Sequence, residues 1–267
     1  MNFDLTDSNY QKLVLDGPFS LDQVQRINRN PKNLAALEKL LFPFRHGCEI
    51  TFLDHLTNSG ITVEHLVTIL GDKGGSKNLD ALKTLFLPFP QDRETTHFSL
   101  LTNAGFTCDH LAKILKFTGG SKNLNALTKL LLPSELDREM TYLSQLTQAG
   151  FSCEHLVSIV GQHVGYKSLN SLKDLLQSYS QDSESTYLNL FADAGFNCEH
   201  LVRLLKHAHG NLSLEALRDL LLPLTQDSES TYFTRLNNEG FTRELIWVRM
   251  SGTKLRKNKS YSSIIYS

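Results

Sequence analysis

Cysteine, methionine and tryptophan are scarce in this 267-residue chain, at four, three and one. Three of the four cysteines, Cys108, Cys153 and Cys198, recur at intervals of 45 residues, while Cys48 stands apart. Such spacing marks a repeated position rather than a disulfide framework, and a reducing compartment is expected. No run approaches the ~18 consecutive apolar residues of a membrane span. The opening MNFDLTDSNYQKLVLDG lacks the basic and apolar regions of a secretory signal, so a soluble, cytoplasmic protein is expected. Charge of one sign is also missing: the formal net charge is −1, which gives no global attraction to a polyanion or an acidic membrane.

What is present is a repeat. Laid against itself, the chain restarts at Phe19, Ile61, Phe106, Phe151, Phe196 and Phe241; the first copy is 42 residues long and the next four are 45. Within a copy the text reads GF, a small polar residue, Cys, an acid, His and Leu. It continues through a Gly-rich break to SKNLxALxxLLLP, then to QDxExTY, an apolar stretch and a closing Gly. Three apolar periodicities separated by two breaks predict three helices.

In the third copy Thr107 is placed to cap the first helix, Asp109 complements its dipole, and Leu111, Ile114 and Leu115 form its apolar stripe. Gly119 and Gly120 are expected to stop it. The second helix is predicted from Ser121, burying Leu124, Leu127, Leu130 and Leu131 and ending or kinking at Pro133. The third is predicted to start from a capping Asp at 92, 137, 182 or 227 and to end at Gly105, Gly150, Gly195 or Gly240. Its inner face is expected to carry Phe98 and Leu101, or Leu143 and Leu146.

One such unit cannot bury its apolar side alone, so neighbours must stack. The expected fold is all-α, a right-handed α-solenoid of tandem three-helix repeats. Residues 1–18 form an N-terminal cap, 19–60, 61–105, 106–150, 151–195 and 196–240 are the five copies, and 241–267 are a degenerate sixth copy with a basic tail.

The stretch GFTCDHLAKILKFTGGSKNLNALTKLL, from Gly105 to Leu131, resembles the repeat of TAL effectors and TAL-like proteins and aligns without a gap from Phe106 to Leu131. In that family a short helix, a loop ending in Gly-Gly and a longer helix recur once per DNA base. The resemblance puts Ile114 on the apolar first-helix position, Gly119 and Gly120 on the Gly-Gly pair, and Lys122 in the phosphate-facing turn. Four copies align in this way. The two residues before the Gly pair vary as Asp72-Lys73, Phe117-Thr118, Gln162-His163 and His207-Ala208, where the family keeps its base-reading pair. The family's unit is shorter and has two helices, so the third helix is this chain's own.

A Gly-Gly turn feeding a helix N-terminus can also present backbone N–H groups and a positive dipole end to a phosphate. The candidate backbone contacts are Gly74, Gly75, Ser76, Lys77, Gly119, Gly120, Ser121, Lys122, Gly165, Lys167 and Gly210. The bland alternative is a tight helix connection with solvated lysines. Charge by copy runs +1, −1, +1, −3 and −2, which disfavours DNA for the last two copies. Arg249, Lys254, Arg256, Lys257 and Lys259 crowd the tail.

The Cys-acid-His triplet invites a zinc reading. Residues two apart on a helix point about 200° apart, so Cys108 and His110 cannot clasp one ion, and no metal or cofactor is expected. His65, His110, His155 and His200 are instead expected to bond the preceding copy. His46, Tyr166 and Trp247 stand alone with no sequence partner that suggests catalysis, and the chain is read as a non-enzyme.

Two functions are consistent with this text. The first is a TAL-like nucleic-acid binder with Gly-Gly turns on phosphates. The second is a protein-interaction scaffold whose concave face takes the partner, since HEAT and armadillo units of about 40–47 residues match this length. No small-molecule substrate and no membrane are implied. The chain end SSIIYS resembles type IV secretion tails, from which delivery into a host cell as a bacterial effector, by a route other than Sec, is expected.

Overall fold

In each copy one apolar stripe asks for a first helix, a second asks for a longer one, and a third follows a Pro- and Asp-bearing turn. The computed structural model describes residues 13–15, 17–29, 31–44, 49–71, 75–89, 92–135, 138–161, 165–178, 185–206, 210–224 and 227–240. Most of the N-terminal cap, residues 45–48 with His46 and Cys48, and the whole segment 241–267 with Trp247 and the basic tail lie outside them.

The described chain is mostly helical, three helices to a copy. The first helices are α1 (Leu21–Ile27), α4 (Val63–Leu70), α7 (Cys108–Leu115), α10 (Cys153–Val160) and α13 (Cys198–Leu205). The second are α2 (Pro31–Leu40), α5 (Ser76–Leu85), α8 (Gly120–Lys129), α11 (Gly165–Asp174) and α14 (Gly210–Leu221). The third are α3 (Phe52–Asn58), α6 (His97–Asn103), α9 (Tyr142–Gln148), α12 (Tyr187–Asp193) and α15 (Tyr232–Asn238).

The chain divides into two compact bodies, Met1–Lys173 and Asp174–Ser267. Within the first, like packs on like: α1, α4, α7 and α10 form one row, and α2, α5 and α8 another. The core of that body is the seam between the rows. Leu66, Ile69 and Leu70 of α4, Leu111, Ile114 and Leu115 of α7, and Leu79, Leu82, Leu124 and Leu127 of the second helices are all at most 1% exposed. Each such leucine contributes about 1.5–3 kcal/mol on burial. In the second body α14 packs against α12, α13 and α15, with Phe191, Phe196, Leu204, Leu217 and Phe233 inside.

Four details depart from the sequence reading. The third helices are capped by threonine: Thr51, Thr96, Thr141, Thr186 and Thr231 each accept from a backbone N–H three residues on. Asp92 and Asp227 lie in short antiparallel ribbons instead, β1 (Pro88–Phe89) with β2 (Asp92–Thr96), and β3 (Pro223–Leu224) with β4 (Asp227–Thr231). Asp137 and Asp182 lie outside the described residues. The same pairing reduces to a single bridge at Pro43 with Thr51, Pro133 with Thr141 and Ser178 with Thr186. The turn after each second helix is therefore folded back and pinned to the next cap, which satisfies backbone groups a loose loop would leave to water.

The first helix of the third copy stops at Leu115, before the glycines, and Gly120 opens the second. That second helix ends at Lys129, four residues short of Pro133, so the proline shapes the ribbon turn rather than breaking the helix. The closing glycines behave as read: Gly60, Gly105, Gly150, Gly195 and Gly240 all have φ between 80° and 93°, where a side chain is strained.

Candidate functional site

The Gly-bearing turns join the first and second helices, and packing decides their residue type. A Cβ on Gly120 would stand 2.7 Å from the Cα and carbonyl oxygen of Leu115. On Gly165 it would lie 2.4 Å from the Val160 carbonyl oxygen, and on Gly210 2.4 Å from that of Leu204. The second helix thus begins against the last turn of the first, and any side chain there collides with backbone.

The N–H groups at these turns are partly engaged. Asn78, fully buried in α5, donates its amide to the carbonyls of Leu115 and Phe117 and accepts from the Ser121 N–H at 3.0 Å. Asn123 of α8 repeats this one copy on, donating to Val160 O at 2.7 Å and accepting from Tyr166 N–H at 2.8 Å. Asn33 of α2 donates to Leu70 O. A carboxamide carries both a donor and an acceptor, so it can serve one helix's last carbonyl and another helix's first N–H at once. Ser168 and Ser213, both buried, hold the position in the last two copies.

The Cys-acid-His triplet forms a second ladder. The N-cap backbone N–H of Thr62, Thr107, Ser152 and Asn197 donates to Nδ1 of His65, His110, His155 and His200. With Nδ1 accepting, the ring proton sits on Nε2, which meets Asp109 at 2.8 Å from His65 and Glu154 at 2.7 Å from His110. His65 and His110 therefore bond the following copy, not the preceding one. The direction follows from the cap, which turns Nε2 outward. Gln23 stands in for histidine in the first copy, closing the capping box with Ser20 and donating to Glu64. The hydrogen bond from His65 holds Asp109 below the usual carboxylate range, and that from His110 does the same to Glu154.

The cysteines face backbone. The Cys108 thiol donates to Ser59 O at 3.8 Å and Cys153 to Ala104 O at 3.1 Å, and burial pushes both thiols up. They are held as neutral thiols at the helix starts. Among the described residues no group of three His, Cys, Asp or Glu could hold a metal ion.

A third ladder was not read from the sequence. Lys83 Nζ lies 5.7 Å from the Phe52 ring centroid, Lys173 Nζ 4.2 Å from Tyr142, and Arg218 Cζ 5.2 Å from Tyr187. Each cation on a second helix covers the aromatic that opens the third helix of the copy before it. The signal was present in the joint pattern: only between copies two and three do His97 and Thr128 replace the aromatic and the cation together. There His97 packs edge-on to Phe89 at 4.9 Å, its buried Nδ1 unpartnered, and desolvation lowers its pKa.

With the repeated polar residues largely accounted for as staples, the exposed remainder is informative. Lys77, Lys122 and Lys167 are exposed in the first turns of α5, α8 and α11, where no acid is present. Every first helix, by contrast, carries an acid in its first turn, Asp22, Glu64, Asp109, Glu154 or Glu199. Net charge by copy averages this segregation away.

Of the other sequence candidates, Ser76 and Ser121 are half-buried and Gly75 and Gly119 sit at the N-cap positions. Phe117 is half-buried and Thr118 exposed. Asp72, Lys73, Gly74, Gln162, His163, His207 and Ala208 lie outside the described residues. No family model matches the sequence, and no curated protein matches it either.

Proposed function

We propose that the chain is a non-enzymatic, TAL-like binder of nucleic acid, its copies stacked as a right-handed α-solenoid. Lys77, Lys122 and Lys167 meet phosphates along the edge of second-helix N-termini. One observation carries this reading. A cation in the first turn of a helix opposes the dipole and costs a few tenths of a kcal/mol or more, and this chain places one there in α2, α5, α8 and α11, each time with no acid to relieve it. An anion brought to that edge is favoured by both the dipole and the lysines. The glycines contribute close helix packing rather than a phosphate cradle of their own.

The test is binding of the full chain to a mixed-sequence oligonucleotide across a salt series, read by fluorescence anisotropy. Wild-type affinity falls steeply with salt, and a Lys77→Ala/Lys122→Ala/Lys167→Ala variant loses about one unit of log–log slope per phosphate contact removed. No binding at low salt, or an unchanged slope in the triple variant, rejects the reading.

A second reading, a protein scaffold, is favoured by a different observation. Phe42, Leu87 and Leu132 recur before the proline that follows the second helix in the first three copies and are 62%, 43% and 40% exposed. Apolar side chains at a fixed repeat position are unusual on a surface facing only water.

A further inference from the structure

We infer that the lysine edge takes a single-stranded polynucleotide in preference to a duplex, a step that rests on the nucleic-acid reading above. Aromatic rings interleave with its cations. Lys116 Nζ stands 4.9 Å from the centroid of Phe117, in the turn that leads into α8. Lys122 Nζ stands 5.5 Å from the ring of Tyr166, which belongs to the next copy. Lys116, Lys122 and Lys167 are exposed while the two rings are half-buried. The repeat-position aromatics Phe106 and Phe151, by contrast, are 2% and 1% exposed.

Neither ring is required by the repeat. The positions equivalent to Phe117 are Asp72, Gln162 and His207, and those equivalent to Tyr166 are Ser76, Ser121 and Asn211. The scaffold forms with small or polar residues at both places, so the rings are additions at the edge rather than core. In a duplex the base faces are hidden in the stack, and a ring beside the phosphates gains little. A single strand offers its base faces, and stacking of a base on an aromatic contributes about 1–3 kcal/mol by alanine substitution. Lysine beside each ring then meets the phosphate that accompanies the stacked base. An acidic peptide would satisfy the lysines and leave the rings without a partner.

The experiment compares oligo-dT, oligo-U and a mixed-sequence duplex of equal length, bound to the full chain at low salt. Wild type, Phe117→Ala, Tyr166→Ala and Tyr166→Phe are measured with each probe. The single strands are expected to bind more tightly than the duplex. Each alanine variant should weaken them by about fivefold or more while leaving the duplex unchanged, and Tyr166→Phe should keep wild-type affinity. The dT and U arms show whether DNA or RNA is the better strand.

Equal binding of duplex and single strand with no effect of the alanine variants overturns this inference and leaves the nucleic-acid reading standing. Loss of duplex and single-strand binding alike in Tyr166→Ala also overturns it, because the ring then acts through folding. Binding to none of the probes removes the underlying reading as well.

Discussion

At the residue scale, the conspicuous polar side chains divide by what they touch. His65 and His110 reach across to Asp109 and Glu154, whereas His97 stands in the place of the aromatic, with Thr128 where other copies have the cation, and its buried Nδ1 has no partner. The two situations titrate in different windows. His97 has its folded pKa lowered, so the unfolded chain takes up its proton first. Its contribution is fully present above the ordinary histidine value of about 6.5 and is lost as pH falls toward the folded pKa. Asp109 and Glu154 are also lowered, so theirs is present above the ordinary carboxylate range and lost at lower pH still, as pH falls through their folded values. Urea unfolding midpoints measured against pH should therefore fall in two stages. His97→Phe removes the upper stage, and Asp109→Asn with Glu154→Gln flattens the lower one. A midpoint whose pH profile is unaltered by His97→Phe contradicts the first assignment. The triplet's spacing argues in sequence against Cys108 and His110 sharing a metal ion. Its partner did not follow, because which neighbour a ring nitrogen meets depends on the cap that orients it.

At the element scale, the helix count and the closing glycines were legible because they depend on local rules, apolar period and the left-handed cap. The starts of the third helices were not. Asp and Thr are both good N-caps, and the choice of Thr96 over Asp92 is made by the ribbon pairing of Pro88 with Thr96, a contact eight residues apart in the chain. The Gly pair was legible as a turn but not as a packing device, since the collision that fixes Gly120 is with backbone of another helix. That gives a prediction with opposing terms. Alanine is favoured over glycine inside a helix by about 1 kcal/mol. A Cβ 2.7 Å from Leu115 Cα forces overpacking that costs about 1–3 kcal/mol. Gly120→Ala is therefore expected to lower stability on balance, whereas replacing exposed Asn125 in the same helix by alanine should not. Chemical denaturation of the two variants side by side decides it, and a stabilised Gly120→Ala would show that the two helices can part without loss.

At the scale of the whole molecule, the consequence of the ladders is that each copy in the first body is tied to the next by side chains rather than by apolar area alone. In a stacked array the free energy is close to a sum of terms within copies and between neighbours, so weakening one junction divides the array instead of lowering it uniformly. Asn78 is the sharpest place to cut. It makes three hydrogen bonds from copy two to copy three, and its loss leaves the Leu115 and Phe117 carbonyls and the Ser121 N–H behind in the junction. Each unmet buried group costs about 1–3 kcal/mol where water cannot reach it, and relaxation brings the expected total to about 2–4 kcal/mol for Asn78→Ala. Asn78→Ser should cost less, because Ser168 and Ser213 occupy the same place in later copies. The decisive readout is cooperativity. Wild type is expected to unfold the first body in one transition, and Asn78→Ala to show a shallower denaturant slope as copies on either side separate. Hydrogen exchange should then find amides in α1 and α4 opening independently of those in α7 and α10. A uniform loss of protection across all four helices would mean that the apolar seam alone couples the copies.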